Sequence, residues 1–318
     1  MSPFLNYLLS AIPLGMTFLF GCTGEILTEK AGHLNLGIPG IMCIGGASGC
    51  VALKLMYGSS VPPMLIVIIA ILASFAGGII MGMIYSFLTV TLKANQNVTG
   101  LAMTTFGVGT TKFIMSGMAT NAMQYLYALD YFRFPFAKNT SSLKYWGVML
   151  YVAIIIAILA SFILIRTRVG LHLRAVGENP ATADAVGINI TAYKYIATCL
   201  GSSVAAFGGL FYIMDYSGSN ESYKSIEAFG WLAIALVIFT LWRPHLSIIG
   251  SILFGALYLA GAYIPTLLGI KLDMSATPLL QMLPYVVTII VLIVTSVRKK
   301  RENQPPASLG LPYFREER

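Results

Sequence analysis

The chain has 318 residues, 57% of them hydrophobic and only 10% charged, whereas an ordinary soluble domain carries about 25% charged residues. That composition excludes a water-soluble globular fold. A net charge of +8 would suit a nucleic-acid partner in a soluble protein, but here the basic residues sit in short loops and in the cluster Arg298-Lys299-Lys300-Arg301, a placement explained by membrane orientation, with no nucleic acid involved.

In chain order, apolar runs fall at 7–27, 34–56, 62–91, 97–117, 145–165, 191–214, 228–242, 246–268 and 279–297. Runs of about 20 residues cross a hydrocarbon layer roughly 30 Å thick. They predict an all-α polytopic membrane protein of about nine spans, within a range of roughly eight to ten. The first run lacks a basic leader and is expected to stay as a helix. The second contains Gly37, Pro39, Gly40, Gly45, Gly46 and Gly49, which predicts a broken helix. Cys22, Cys43, Cys50 and Cys199 lie in apolar segments without Cys-x-x-Cys spacing and read as small buried hydrophobes, with no disulfide or metal site.

The stretch 118–144 mixes Tyr125, Tyr127, Tyr131, Phe132, Phe134 and Phe136 with few charges, which suits an interfacial aromatic belt or a short outer helix. Asp215, Glu221 and Glu227 mark an acidic outer loop. Residues 1–300 form one transmembrane domain, and 301–318, with Pro305, Pro306 and Pro312, read as a disordered tail.

The side holding Lys30, Lys93, Arg166, Arg168, Arg174, Lys194, Arg243 and the tail carries 13 of the 20 basic residues. By the positive-inside rule it is cytoplasmic, with the N-terminus outside. Glu25, Asn35, Asn95, Gln96, Asn97 and Thr99 stand inside or at the ends of apolar spans. Such groups line a wet pathway, or bond helix to helix and cap helix ends; the sequence weighs these equally.

Gly46-Ala47-Ser48-Gly49 matches the nucleophile motif of rhomboid proteases. A serine nucleophile needs a nearby histidine, and His33, His172 and His245 all fall in loops on the basic side, away from Ser48. No Gly-x-x-x-x-Gly-Lys-Ser/Thr run exists, so the chain has no phosphate cradle for ATP. A proton- or sodium-coupled carrier would show paired acids in mid-membrane. Glu25 is the one candidate acid, near the cytoplasmic end.

The loop 166–190 is the most informative segment. Asn179 is a good N-cap, Pro180 a good first helical residue, and Gly187 suits a left-handed helix end, which predicts a two-turn helix across the cytoplasmic mouth.

The wording of 174–188, Arg-Ala-Val-Gly-Glu-Asn-Pro-Ala-Thr-Ala-Asp-Ala-Val-Gly-Ile, resembles the coupling-helix loop of permease subunits of ABC importers in the branched-chain-amino-acid/ribose/nucleoside superfamily, closest to the nucleoside and simple-sugar branch. The stretch 27–42, including Thr28-Glu29-Lys30-Ala31-Gly32 and Asn35-Leu36-Gly37-Ile38-Pro39-Gly40, resembles a second motif of that branch, with Pro39 where a glutamate is usual.

The resemblance implies an ATP-driven importer in the bacterial cytoplasmic membrane, whose channel subunit takes a nucleoside, or a simple sugar such as ribose or galactose, from an extracellular solute-binding lipoprotein or periplasmic protein. A self-sufficient secondary transporter is the reading from another class. Further implied partners are a separate ATP-binding subunit that holds ATP and magnesium, and a second permease chain in a heterodimer in which this chain is the smaller. No cofactor is expected on this chain, and no enzymatic step. Arg174, Gly177, Glu178, Asn179, Pro180, Asp184 and Gly187 would couple to the ATPase. Gly37 and Pro39 join Glu25, Asn35, Asn95, Gln96, Asn97 and Thr99 as pathway candidates.

Overall fold

The computed structural model describes residues 3–56, 59–118, 146–268, 277–298 and 304–314. The described residues are helical with short connections. In chain order the helices are α1 (Pro3–Glu29), α2 (Ile38–Met56), α3 (Pro63–Ser86, continued by a wide π turn over Phe87–Thr91), α4 (Gln96–Ser116), α5 (Val148–Arg166), α6 (Arg168–Glu178), α7 (Pro180–Ala185), α8 (Ile190–Phe211, continued by a π turn over Tyr212–Ser217), α9 (Tyr223–Phe239), α10 (Pro244–Leu268), α11 (Thr277–Gln281) and α12 (Leu283–Arg298). The aromatic stretch expected at 118–144 lies beyond residue 118, outside the described residues.

Six of these are long and apolar enough to cross a membrane: Phe4–Glu29, Ile38–Met56, Met64–Thr91, Val148–Arg166, Ile190–Ser217 and Pro244–Tyr263. This falls short of the expected count of about nine. α4 is diluted by Gln96, Asn97 and several threonines, α9 has 17 residues, and the last expected span is divided at Met282. The predicted break in the second helix is corrected. α2 runs uninterrupted from Ile38, and the irregular backbone is confined to 30–37, ahead of it. Pro39, as the second residue of α2, needs no intrahelical donor and introduces no kink.

α1, α2 and α8 form the centre, with α3 against α8, α10 against α1, and α9 across α1 and α2. Small residues allow this closeness. A Cβ on Gly24 of α1 would overlap the Gly201 carbonyl of α8, and one on Gly107 of α4 would overlap Gly40 of α2. Phe20, Met42, Ala206, Leu210 and Phe211 fill the core between these helices. Outward-facing residues such as Ile68 and Leu72 on α3 and Ile155, Ile158 and Phe162 on α5 stay exposed, as suits hydrocarbon contact. Ser48 donates to the Gly45 carbonyl at 3.1 Å, while His33, His172 and His245 bond Thr198, Tyr193 and Ser161, so among the described residues no histidine partners Ser48.

Lys30, Arg174 and Arg243 share one cavity wall, and Lys93 and Lys194 another. The basic loops therefore meet at the end of the bundle that carries α6 and α7, as the loop sorting anticipated. Asp215, expected in an outer loop, is instead fully buried in the π turn ending α8. Gly209 makes the tightest approach, where a Cβ would collide with the Met42 carbonyl. Gly209→Val is expected to lower stability by more than the roughly 1–3 kcal/mol usual for an overpacked core, read as a fall in the thermal midpoint of the detergent-solubilised protein.

Candidate functional site: a coupling hairpin mounted on an irregular segment

The α6–α7 hairpin has a cap at each end. Thr167 Oγ1 accepts from Gly170 N at 3.1 Å and starts α6, and Asn179 Oδ1 accepts from Thr182 N at 3.0 Å and starts α7. Pro180 is the first residue of α7. Gly187 ends it with φ +86°; Gly187 N donates to Asp184 O and Ile188 N to Ala183 O, each at 3.0 Å, the two bonds of a Schellman cap. The expected two-turn helix is thus a shorter α7 of 6 residues. It is preceded by α6, a helix within the stretch 166–190 expected as loop.

Val176, Ala183 and Ile190 form a small apolar core that seats the hairpin. Glu178, Asn179, Thr182, Val186 and Gly187 are exposed beyond it, Val186 at 71%. Arg174 is exposed and folds back, Nε donating to Gly170 O at 3.4 Å. Gly177 is buried, and a Cβ there would overlap the Lys30 carbonyl. Of the coupling candidates, Arg174, Glu178, Asn179 and Gly187 face outward. Gly177 is the joint between the hairpin and segment 30–37, Pro180 is half-buried, and Asp184 accepts from Tyr313 OH at 2.9 Å.

That bond belongs to an element the sequence reading missed. Residues 304–314, expected to be disordered, lie along the hairpin. Ser308 donates to the Gly177 carbonyl through both N and Oγ, Gln96 Nε2 donates to Leu311 O at 3.4 Å, and Lys93 Nζ stands 4.2 Å from the Phe314 ring. Each anchor is a single residue, which explains why a proline-bearing polar composition concealed them.

Segment 30–37 is held from all sides. Leu34 N donates to Gln96 Oε1 at 2.8 Å and Asn35 N to Glu25 Oε1 at 2.9 Å. Tyr85 OH donates to Leu34 O at 2.6 Å and Thr104 Oγ1 to Leu36 O at 2.7 Å. Gly37 N donates to Asn35 Oδ1 at 2.9 Å, and His33 Nδ1 stands 3.3 Å from Thr198 Oγ1. One turn after Glu25, Glu29 accepts from the Trp242 indole.

Four of the eight pathway candidates, Glu25, Asn35, Gly37 and Gln96, therefore meet here in bonds to or from the backbone of this segment. Glu25, Asn35 and Gln96 are at most 2% exposed, and Gly37 is buried. Pro39 lies against Gly230 of α9. At the start of α4, Asn95 Oδ1 caps Val98 N at 3.1 Å, Asn97 is exposed and Thr99 is buried. Tyr85, Thr104 and Trp242 join this site without a sequence signal, and Glu29, within the stretch 27–42, joins it as a buried acceptor. Glu29 alone had a local signal, four residues beyond Glu25 on the same helical face.

Burial pulls the Lys30 pKa below its ordinary 10.5, and the Glu178 carboxylate partly offsets this. Burial, and then the Lys194 ammonium, holds the His33 imidazole well below its ordinary 6.5. Below about pH 6.5 the unfolded chain binds a proton at this residue that the folded chain refuses. Stability is therefore expected to fall as pH drops through that value and to keep falling toward the lower folded pKa. His33→Gln should flatten this part of the profile, measured as thermal midpoint against pH. Tyr313→Phe should cost about 1 kcal/mol, the net worth of one hydrogen bond, and free residues 304–314 to limited proteolysis.

Residues 6–292 match a protein family described as branched-chain amino acid transport system / permease component. The nucleoside ABC transporter permease protein NupC of Lactococcus lactis subsp. cremoris is 33% identical over 299 residues, 90% of each chain. The guanosine ABC transporter permease protein NupQ of Bacillus subtilis is 28% identical, over 98% of this chain and 96% of its own. The galactofuranose transporter permease protein YtfT of Escherichia coli is 25% identical, over 86% of this chain and 75% of its own. With most of its length matched, and with apolar helices suited to crossing a membrane, the chain belongs to the permease-component family of ABC transport systems.

Proposed function

We propose that this chain is one of two different permease subunits of an importer that takes up a nucleoside, with an extracellular solute-binding protein delivering the solute. ATP hydrolysis belongs to a separate subunit, which would dock on the α6–α7 hairpin. The observation that carries the docking is the mounting of that hairpin. Glu178, Asn179, Thr182, Val186 and Gly187 face outward, while Gly177 packs against Lys30 and Gly32 of segment 30–37 and the Val176–Ala183–Ile190 core ties α6 and α7 to the start of α8. A push on the exposed face would then reach α1, α2 and α4 through the Glu25, Asn35 and Gln96 bonds. Nucleoside is favoured because relatives bearing nucleoside and guanosine names match 90% and 98% of the chain. A simple sugar is the second reading, favoured by the galactofuranose relative.

The basic residues gathered at the hairpin end support a cytoplasmic hairpin and an N-terminus outside, by the positive-inside rule. Coordination of ATP and magnesium belongs to the partner. Replacing Glu178→Arg together with Asp184→Arg is expected to cut ATP-driven uptake at least about tenfold, equivalent to 1.4 kcal/mol of coupling. A cysteine placed at Asn179 should label only from the cytoplasmic side of sealed vesicles. In the reconstituted complex, unlabelled nucleoside should compete with labelled nucleoside uptake and ribose should not. Competition by ribose alone would favour the sugar reading, and uptake without any ATPase subunit would refute both.

A further inference from the structure

A polar cavity of about 480 Å³ opens at the hairpin end, between the π turn ending α3, the α7–α8 connection, the first turn of α8 and Tyr313. Lys194, in the second turn of α8, lines it. Lys194 is only 3% exposed, and among the described residues its ammonium has no hydrogen bond or ion pair. A buried cation without a partner is costly and calls for an anion.

Two further features agree with that demand. Lys93 also lines the cavity, its Nζ 4.2 Å from the Phe314 ring. The cavity also meets the N-terminus of α8, a helix of 22 residues. Asn189 Oδ1 there accepts from Ala192 N at 3.0 Å, which leaves the first two amides of α8 without intrahelical acceptors, in the positive field of the helix end. Asp184, the one carboxylate in the lining, opposes an anion there, and one of its oxygens is engaged by the hydrogen bond from Tyr313.

We infer that this cavity is a phosphate-binding site, in which Lys194, Lys93 and the α8 N-terminus hold one phosphate group. Phosphate fits better than carboxylate: its three acceptor oxygens match two ammonium groups plus backbone amides, and helix N-termini of this kind bind phosphate. The same chemistry has two sources, the headgroup of an anionic phospholipid at the inner membrane surface or a soluble phosphate. Either occupant would bridge the end of α3 to the start of α8 beneath residues 304–314. The site is independent of which solute the importer carries.

The test uses the full-length protein and its thermal midpoint. In detergent, inorganic phosphate is titrated against chloride at equal ionic strength. In parallel, nanodiscs of phosphatidylcholine are compared with nanodiscs containing phosphatidylglycerol. A stabilising shift with inorganic phosphate that weakens at least about tenfold in Lys194→Gln supports the site with a soluble occupant. A shift confined to phosphatidylglycerol and lost in Lys194→Gln supports it with a lipid occupant. Lys93→Gln, at an exposed position, gives a second reading should Lys194→Gln fail to fold, and is expected to weaken binding several-fold. Equal midpoints in every medium, or shifts unchanged in both variants, would overturn the inference.

Discussion

The backbone of 30–37 leaves helical geometry among packed membrane helices, and the rest of the hairpin end depends on how its polar groups are satisfied. Non-helical backbone at such a position is tolerated only where protein or water supplies the missing hydrogen bonds. Here the donors and acceptors come from different helices: Glu25 of α1, Tyr85 of α3, and Gln96 and Thr104 of α4. Each of those side chains is thereby committed, and each helix is registered against the others. The small residues at Gly24–Gly201 and Gly40–Gly107 then bring the helices close enough for the bonds to form.

The same segment is the seat of the coupling hairpin. Lys30 meets Gly177, Gly177 receives Ser308, and Tyr313 closes on Asp184. With the bond from Asn35 N to Glu25, these contacts run from the exposed hairpin face to the buried acid in α1. Glu178 and Lys30 lie within electrostatic reach of one another, so a partner docking at the hairpin face acts beside the joint.

What the sequence revealed and what it concealed divide along the range of the interactions involved. The caps at Asn179, Pro180 and Gly187 are local, because each is decided within a few residues, and they occur where the residue types required them. The apolar runs likewise located most helices. The role of Asn35 and Gln96 was not legible, since a polar residue in an apolar run looks the same whether it faces a pathway or bonds a distant backbone amide. α6 was passed over although Thr167 caps it and Gly170, Leu173, Val176 and Gly177 share its buried face. Arg168 and Arg174 gave it the look of a connector. Pro39 misled in the opposite sense. Its kink-forming character is absorbed at a helix start, where it fills the space left by Gly230.

The central claim is that force at the hairpin reaches the membrane helices through the joint between Gly177 and Lys30. It is tested most directly by uptake per ATP hydrolysed in a reconstituted complex carrying Gly177→Val, whose side chain would push against the Lys30 carbonyl. Hydrolysis retained with uptake per ATP reduced at least about tenfold is the expected result. Uptake per ATP equal to that of the unaltered chain, in an assembled complex, would contradict it.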